Sequence, residues 1–106
     1  LLIQTVTLSF KRLMPKILHI LKEPHSPLAL EMIKEETKNP QQEILILLIQ
    51  EAVRKTVAQN NSLKIFILKE DLEERGLTAP PDSNYTCINY QGMVDLIYQV
   101  DKVVTW

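Results

Sequence analysis

The sequence has one cysteine, Cys87, among 106 residues. A single thiol excludes an internal disulfide and fits a reducing, cytoplasmic setting. Two glycines are too few for a loop-rich fold or a glycine cradle around phosphate. The two histidines, His19 and His25, come without further candidate ligands, so neither a metal site nor a cofactor is expected. An excess of one charge is also missing. The net charge is -1, and Lys11, Arg12, Arg54 and Lys55 form no compact basic run. Direct nucleic-acid binding is therefore not expected. No apolar run reaches the roughly 18 residues of a membrane span, and LLIQTVTLSFKRL lacks the basic region and cleavage site of a signal peptide.

What remains is an ordinary soluble composition, 45% hydrophobic and 24% charged, in a chain of one-domain length. Met14-Pro15 reads as a natural start. Residues 1–13 are then an N-terminal extension, either foreign to the protein or an edge strand built on the alternation Val6, Leu8, Phe10. Residues 14–106 form the domain.

Strand and helix patterns alternate along that domain. KILHILK (16–22) is a short apolar strand stopped by Pro24 and Pro27. A helix follows, with Ser26 at its cap, Pro27 in its first turn, and Leu28, Met32 and Ile33 on one face. EILILLIQ (43–50) is apolar at both parities, which marks a strand covered on both faces. EAVRKTVAQNN reads as a helix with Ala52, Val53 and Val57 inward. LKIFILK is another buried strand, EDLEERGL a helical turn stopped at Gly76, and YTCINY a fourth strand. QGMVDLIYQV is a helix and DKVVTW a fifth strand. Parallel strands need crossovers, usually helical. The alternation therefore predicts an α/β fold: a three-layer α/β/α sandwich around a mostly parallel five-stranded sheet with right-handed crossovers.

Such sheets gather chemistry outside the carboxyl ends of their strands. Segments 22–26, 50–52, 69–71 and 90–92 should line that edge, which makes His25, Ser26, Gln50, Glu51, Asp71 and Tyr90 the candidate functional residues. Each has a plainer reading. His25 is then a solvent-exposed loop residue. Glu51 gains from a helix N-terminus on charge grounds alone. Asp71 caps a short helix, and Tyr90 packs or borders an interface. His19, inside the first strand, reads as a satisfied core imidazole. Trp106 is expected on the sheet edge or against another subunit. Cys87, mid-strand in a sheet covered on both faces, reads as a buried core residue.

Four stretches together resemble the DsrH/TusB family, one of the DsrEFH-like groups: ILHILKEPHSP, LILLIQEAV, ILKEDLEERGL and INYQGMVDLIYQVDKVVTW, in order across residues 16–106. The resemblance implies a subunit of a sulfur-relay assembly. Such assemblies pass persulfide sulfur between cysteines, in sulfur oxidation or in tRNA processing toward wobble 2-thiouridine. It implies DsrE/TusD-like and DsrF/TusC-like partners in a hetero-oligomer. A small five-stranded domain presenting an apolar face should also self-associate when those are absent. Many relatives carry a cysteine in the first helix, but SPLALEMIKEE has none. A non-catalytic subunit is therefore expected. The rival readings are a small flavodoxin-like ligand-binding module and a stand-alone homo-oligomer.

Overall fold

A computed structural model describes residues 3–7, 14–54, 63–79 and 84–106. They form one six-stranded sheet flanked by helices. The strands are β1 (Gln4–Thr7), β2 (Lys16–Leu21), β3 (Glu43–Leu48), β4 (Leu63–Leu68), β5 (Tyr85–Ile88) and β6 (Lys102–Thr105). The helices are α1 (Pro27–Glu36), α2 (Lys69–Glu74) and α3 (Tyr90–Gln99), with a 3-10 turn at Gln50–Arg54. The spatial order is β1-β6-β2-β3-β4-β5.

The five domain strands are all parallel, as their alternation with helices requires. The expected count of five falls short by one, because Gln4–Thr7 adds an antiparallel edge strand on β6. Alternating Thr and Val gave that strand a β-compatible pattern, but its partner lies near residue 104, which no local pattern could indicate. Leu8, Phe10 and Val57 lie outside the described residues.

β3 is central, and its run from Ile44 to Leu48 is buried throughout. Its side chains divide between two cores. Ile44, Ile46 and Leu48 join Ile17, Leu21, Ile65 and Ile67 with Ala29 and Ile33 of α1, Ala52 and Val53 of the 3-10 turn, and Leu72 of α2. Leu45 and Leu47 join Leu18, Ile20 and Val103 with Leu96 of α3 and Val100 just after it. The chain steps in one direction through β2, β3, β4 and β5, then returns across the sheet to β6. A constant crossover hand therefore requires α3 to lie opposite the other helices, as these two cores show.

Two expected packing details differ. α1 buries Ala29 and Ile33, while Leu28 and Met32 stay exposed. The buried row lies one position round from the one that hydrophobicity suggested. Ser26 takes the N-cap position of α1, but its side chain makes no capping bond. The stop at Gly76 follows expectation. Its φ of +65° suits glycine, and the Leu77 amide reaches back to the Leu72 carbonyl at 2.9 Å.

Trp106 is not on an outer edge. It is buried among Ile17, Leu21, Ile46 and Val104, and its backbone amide bonds the Ile20 carbonyl at 2.9 Å. At the amino end of the sheet, buried Asp101 accepts the Lys16 amide at 2.7 Å and returns its own amide to the Lys16 carbonyl at 2.8 Å. These contacts hold β6 against β2 at both ends.

Candidate functional site

Because β2 to β5 run parallel, the segments that follow them emerge on one edge of the sheet. Three hydrogen-bonded links tie that edge together. Ile49 and Ala52 donate their amides to the Leu21 and Lys22 carbonyls, which fastens the end of β3 to the end of β2. The buried carboxylate of Asp71 in α2 accepts the Gln50 amide. The Tyr90 amide donates to Glu70 at 3.2 Å, joining the start of α3 to the start of α2.

Gln50 has a φ of +53°, a left-handed conformation uncommon outside glycine. The chain turns abruptly there from β3 into the 3-10 turn. Asp71 meets the amide that this turn would otherwise leave without a strand partner. Its own neighbour, Arg75, sits one helical turn on. Arg75 donates to the Asp71 carbonyl at 3.1 Å and to Glu51 at 2.9 Å. Glu51 also accepts from Arg54 at 2.7 Å. Hydrogen bonds from Arg54, then from Arg75, hold the Glu51 carboxyl below its usual range. Glu51 is exposed, so this pairing orients the loop more than it stabilises the fold.

Of the residues that the sequence singled out, Gln50, Glu51 and Asp71 form one cluster, while Tyr90 joins its neighbour Glu70. His25 is exposed and Ser26 partly buried, both on the loop before α1. Arg75 was not singled out, and Glu70 only as part of segment 69–71 at that edge. The spacing of Asp71 and Arg75, four apart within EDLEERG, was the available signal for Arg75. The edge rule placed Glu70 within segment 69–71, but its partner had no signal, because it is a backbone amide twenty residues away.

Cys87 overturns an expectation. It is exposed, not buried. β5 is fourth among the parallel strands in sequence but last in space, so only β4 flanks it among the described residues. Its register neighbour Ile67 is fully buried, whereas Cys87 lies one strand further out, beyond the helical cover. Tyr85, on the same face, is still buried. The thiol lies within the strand and not at its carboxyl end, where the cluster sits.

His19 behaves as a core imidazole with both nitrogens occupied. It is fully buried, its Nε2 lies 2.8 Å from Glu36, and its Nδ1 accepts the Trp106 indole N–H at 3.0 Å. An acceptor at Nδ1 places the proton on Nε2, which donates to Glu36. Burial lowers the His19 pKa from 6.5, against the opposing pull of Glu36 and with help from Lys102.

Among the described residues, no cluster of acidic, histidine or cysteine side chains could hold a metal ion, and no helix is long and apolar enough to cross a membrane. No curated protein matches the chain. The family described as DsrH like protein matches residues 25–103, from the loop before α1 to the middle of β6. That span contains the whole edge cluster and most of the sheet, and on this match the chain belongs to the DsrH-like family.

Proposed function

We propose that this chain is a non-catalytic subunit of a sulfur relay, which docks DsrE-like and DsrF-like proteins while sulfur moves over their cysteines. The observation that carries the reading is the make-up of the carboxyl edge. Its charged groups hold one another and the loop amides: Asp71 holds Gln50, Glu51 holds Arg54 and Arg75, and Glu70 holds Tyr90. No thiol lies among them, since the one cysteine is within β5. A sulfur acceptor needs a thiolate, usually stabilised by a helix N-terminus or a cation. α1 carries no cysteine at all.

His25, Ser26, Gln50, Glu51, Asp71 and Tyr90 then form a rigid docking edge. The half-exposed aromatic ring of Tyr90 supplies the contact area typical of interfaces. The sulfur served goes either to wobble-uridine 2-thiolation or through sulfur oxidation, according to the partners present, and the setting is cytoplasmic. Nucleic acid is bound by the assembly and not by this chain alone.

The test is reconstitution with DsrE-like and DsrF-like proteins. A stable hetero-oligomer is expected, and persulfide transfer through it should survive Cys87→Ser. Failure of every such combination to associate would remove the docking role. Loading of sulfane sulfur onto Cys87 as fast as onto the partner cysteines would remove the non-catalytic one.

A further inference from the structure

β6 is held by its two neighbours in different ways. On one side it pairs with β2 along residues 17–20 and is fixed at both ends, by Asp101 with Lys16 and by Trp106 with Ile20. On the other side it pairs with β1, antiparallel, at the four positions Gln4, Thr5, Val6 and Thr7. Ile3, Gln4 and Thr5 are exposed, so main-chain bonds carry much of that attachment. Thr7 lies opposite Lys102, and the Lys16 carbonyl accepts the Asp101 amide, so β1 ends and β2 begins at the same end of β6. β1 can therefore leave the edge without moving β2 or β6.

We propose that the outer edge of β6 is a strand-addition site, with β1 as its exchangeable occupant, and that an extended, β-branched segment of a docked partner takes the place of β1. β1 itself shows what the edge accepts. The register sets Thr5 opposite Val104 and Val6 opposite Val103, and both valines are buried. Cross-strand pairs of β-branched residues favour strand pairing, and the rest of the recognition is by main chain, as in β-augmentation. The opposite edge, at β5, has only β4 beside it among the described residues and so shows no such resident. The site rests on β1, whereas the source of the incoming segment rests on the docking reading above.

Tethering decides which strand occupies the edge. A segment on a short linker competes at an effective concentration of about 1 mM. β1 is paired, so its affinity for the edge is tighter than that, and a free peptide well below that concentration leaves it in place. A partner already docked presents its own segment at a comparable effective concentration and competes on even terms. Docking is thus what exchanges the strand.

Thr5→Pro combined with Val6→Pro, in the full chain, should open the edge. Amides of consecutive strand residues point to opposite sides, so the pair removes whichever one faces β6. The probe is a capped IQTVT peptide with a lysine added at each end, titrated by NMR. It should bind the proline variant with a Kd below about 1 mM, shifting Lys102–Thr105, and the wild type at least about 10-fold more weakly. In the wild type, hydrogen exchange should show β1 amides opening at least about 10-fold more often than those of β3. In the reconstituted assembly, β1 amides should lose protection while those of β6 keep theirs. No peptide binding to the proline variant, equal binding to both proteins, or β1 amides that exchange only with global unfolding would overturn the strand-addition site. A formed assembly with β1 still paired, or a proline variant that dimerises in place of binding peptide, would overturn the partner as occupant. Failure of any assembly to form would remove the docking reading and with it this occupant, while the peptide result would still decide the site.

Discussion

Trp106 donates its indole N–H to Nδ1 of His19 over 3.0 Å, joining residues 87 positions apart. The rings are stacked with centroids 6.1 Å apart and planes inclined by 21°. The bond requires a neutral imidazole, because a protonated one would turn an N–H toward another N–H. The other nitrogen is held by Glu36 of α1, so this contact couples β6, β2 and α1.

That coupling makes stability depend on pH. The His19 pKa is lowered from 6.5 in the folded chain, so below pH 6.5 the unfolded chain binds the extra proton. The contribution of His19 is complete above pH 6.5 and declines as pH falls toward the folded value. Its slope is limited to about 1.4 kcal/mol per pH unit. Melting temperatures between pH 7.5 and pH 5, compared with His19→Gln, should show this decline in the wild type alone. Parallel curves for the two proteins would count against it.

Trp106→Phe keeps most of the apolar volume but removes the donor, leaving buried Nδ1 unpaired. The expected cost is about 1–3 kcal/mol. Trp106→Ala adds a cavity and should cost about 3–5 kcal/mol. Urea denaturation distinguishes them; equal losses would mean that only the indole donor matters, and an unchanged Trp106→Phe that only the ring's bulk does.

Asp71 and Gln50 should respond in opposite directions. Asp71→Ala strips a charged acceptor from the Gln50 amide and should cost about 1.5–3 kcal/mol. Gln50→Gly relieves a left-handed residue, and the result should lie between neutral and about 1 kcal/mol more stable. Gln50→Val should destabilise, because a β-branched side chain suits that conformation poorly. A stable Gln50→Val protein would show that the turn relaxes.

The exposed thiol predicts reagent access. Iodoacetamide or a thiol-disulfide reagent should modify Cys87 in the native protein at a rate close to that of the unfolded chain. Cys87→Ser should change stability by no more than about 0.5 kcal/mol. Protection by a large factor would return the cysteine to the core.

Much of this was readable in sequence, for local reasons. Strand periodicity and proline stops located β2, β3 and β4, and the buried run 44–48 identified the central strand. The order of elements implied parallel pairing and so brought Gln50, Glu51 and Asp71 to one edge. Two things were not readable. Strand order in space decides which strand is outermost, and Cys87 was misassigned because β5 carries the same kind of pattern as its covered neighbours. Long-range polar pairing decides what a loop charge does. Glu70 met a backbone amide and Asp71 met Gln50, neither of which any spacing rule connects. The family resemblance came from the motifs, and the match over residues 25–103 bears it out.

β6 enters the sheet between β1 and β2, so among the described residues these two strands are neighbours of β6 and not of each other. The sheet consequently cannot close until residues 102–106 are available. Folding has to wait for contacts of the longest sequence separation, which slows it. Until then, the whole β6-facing edge of β2 is an open template for pairing with a foreign strand. A chain shortened by those few residues would lose its link to β1 and the indole that fills the imidazole's side of the core. Its hazard would be aggregation during synthesis, before any question of function arose.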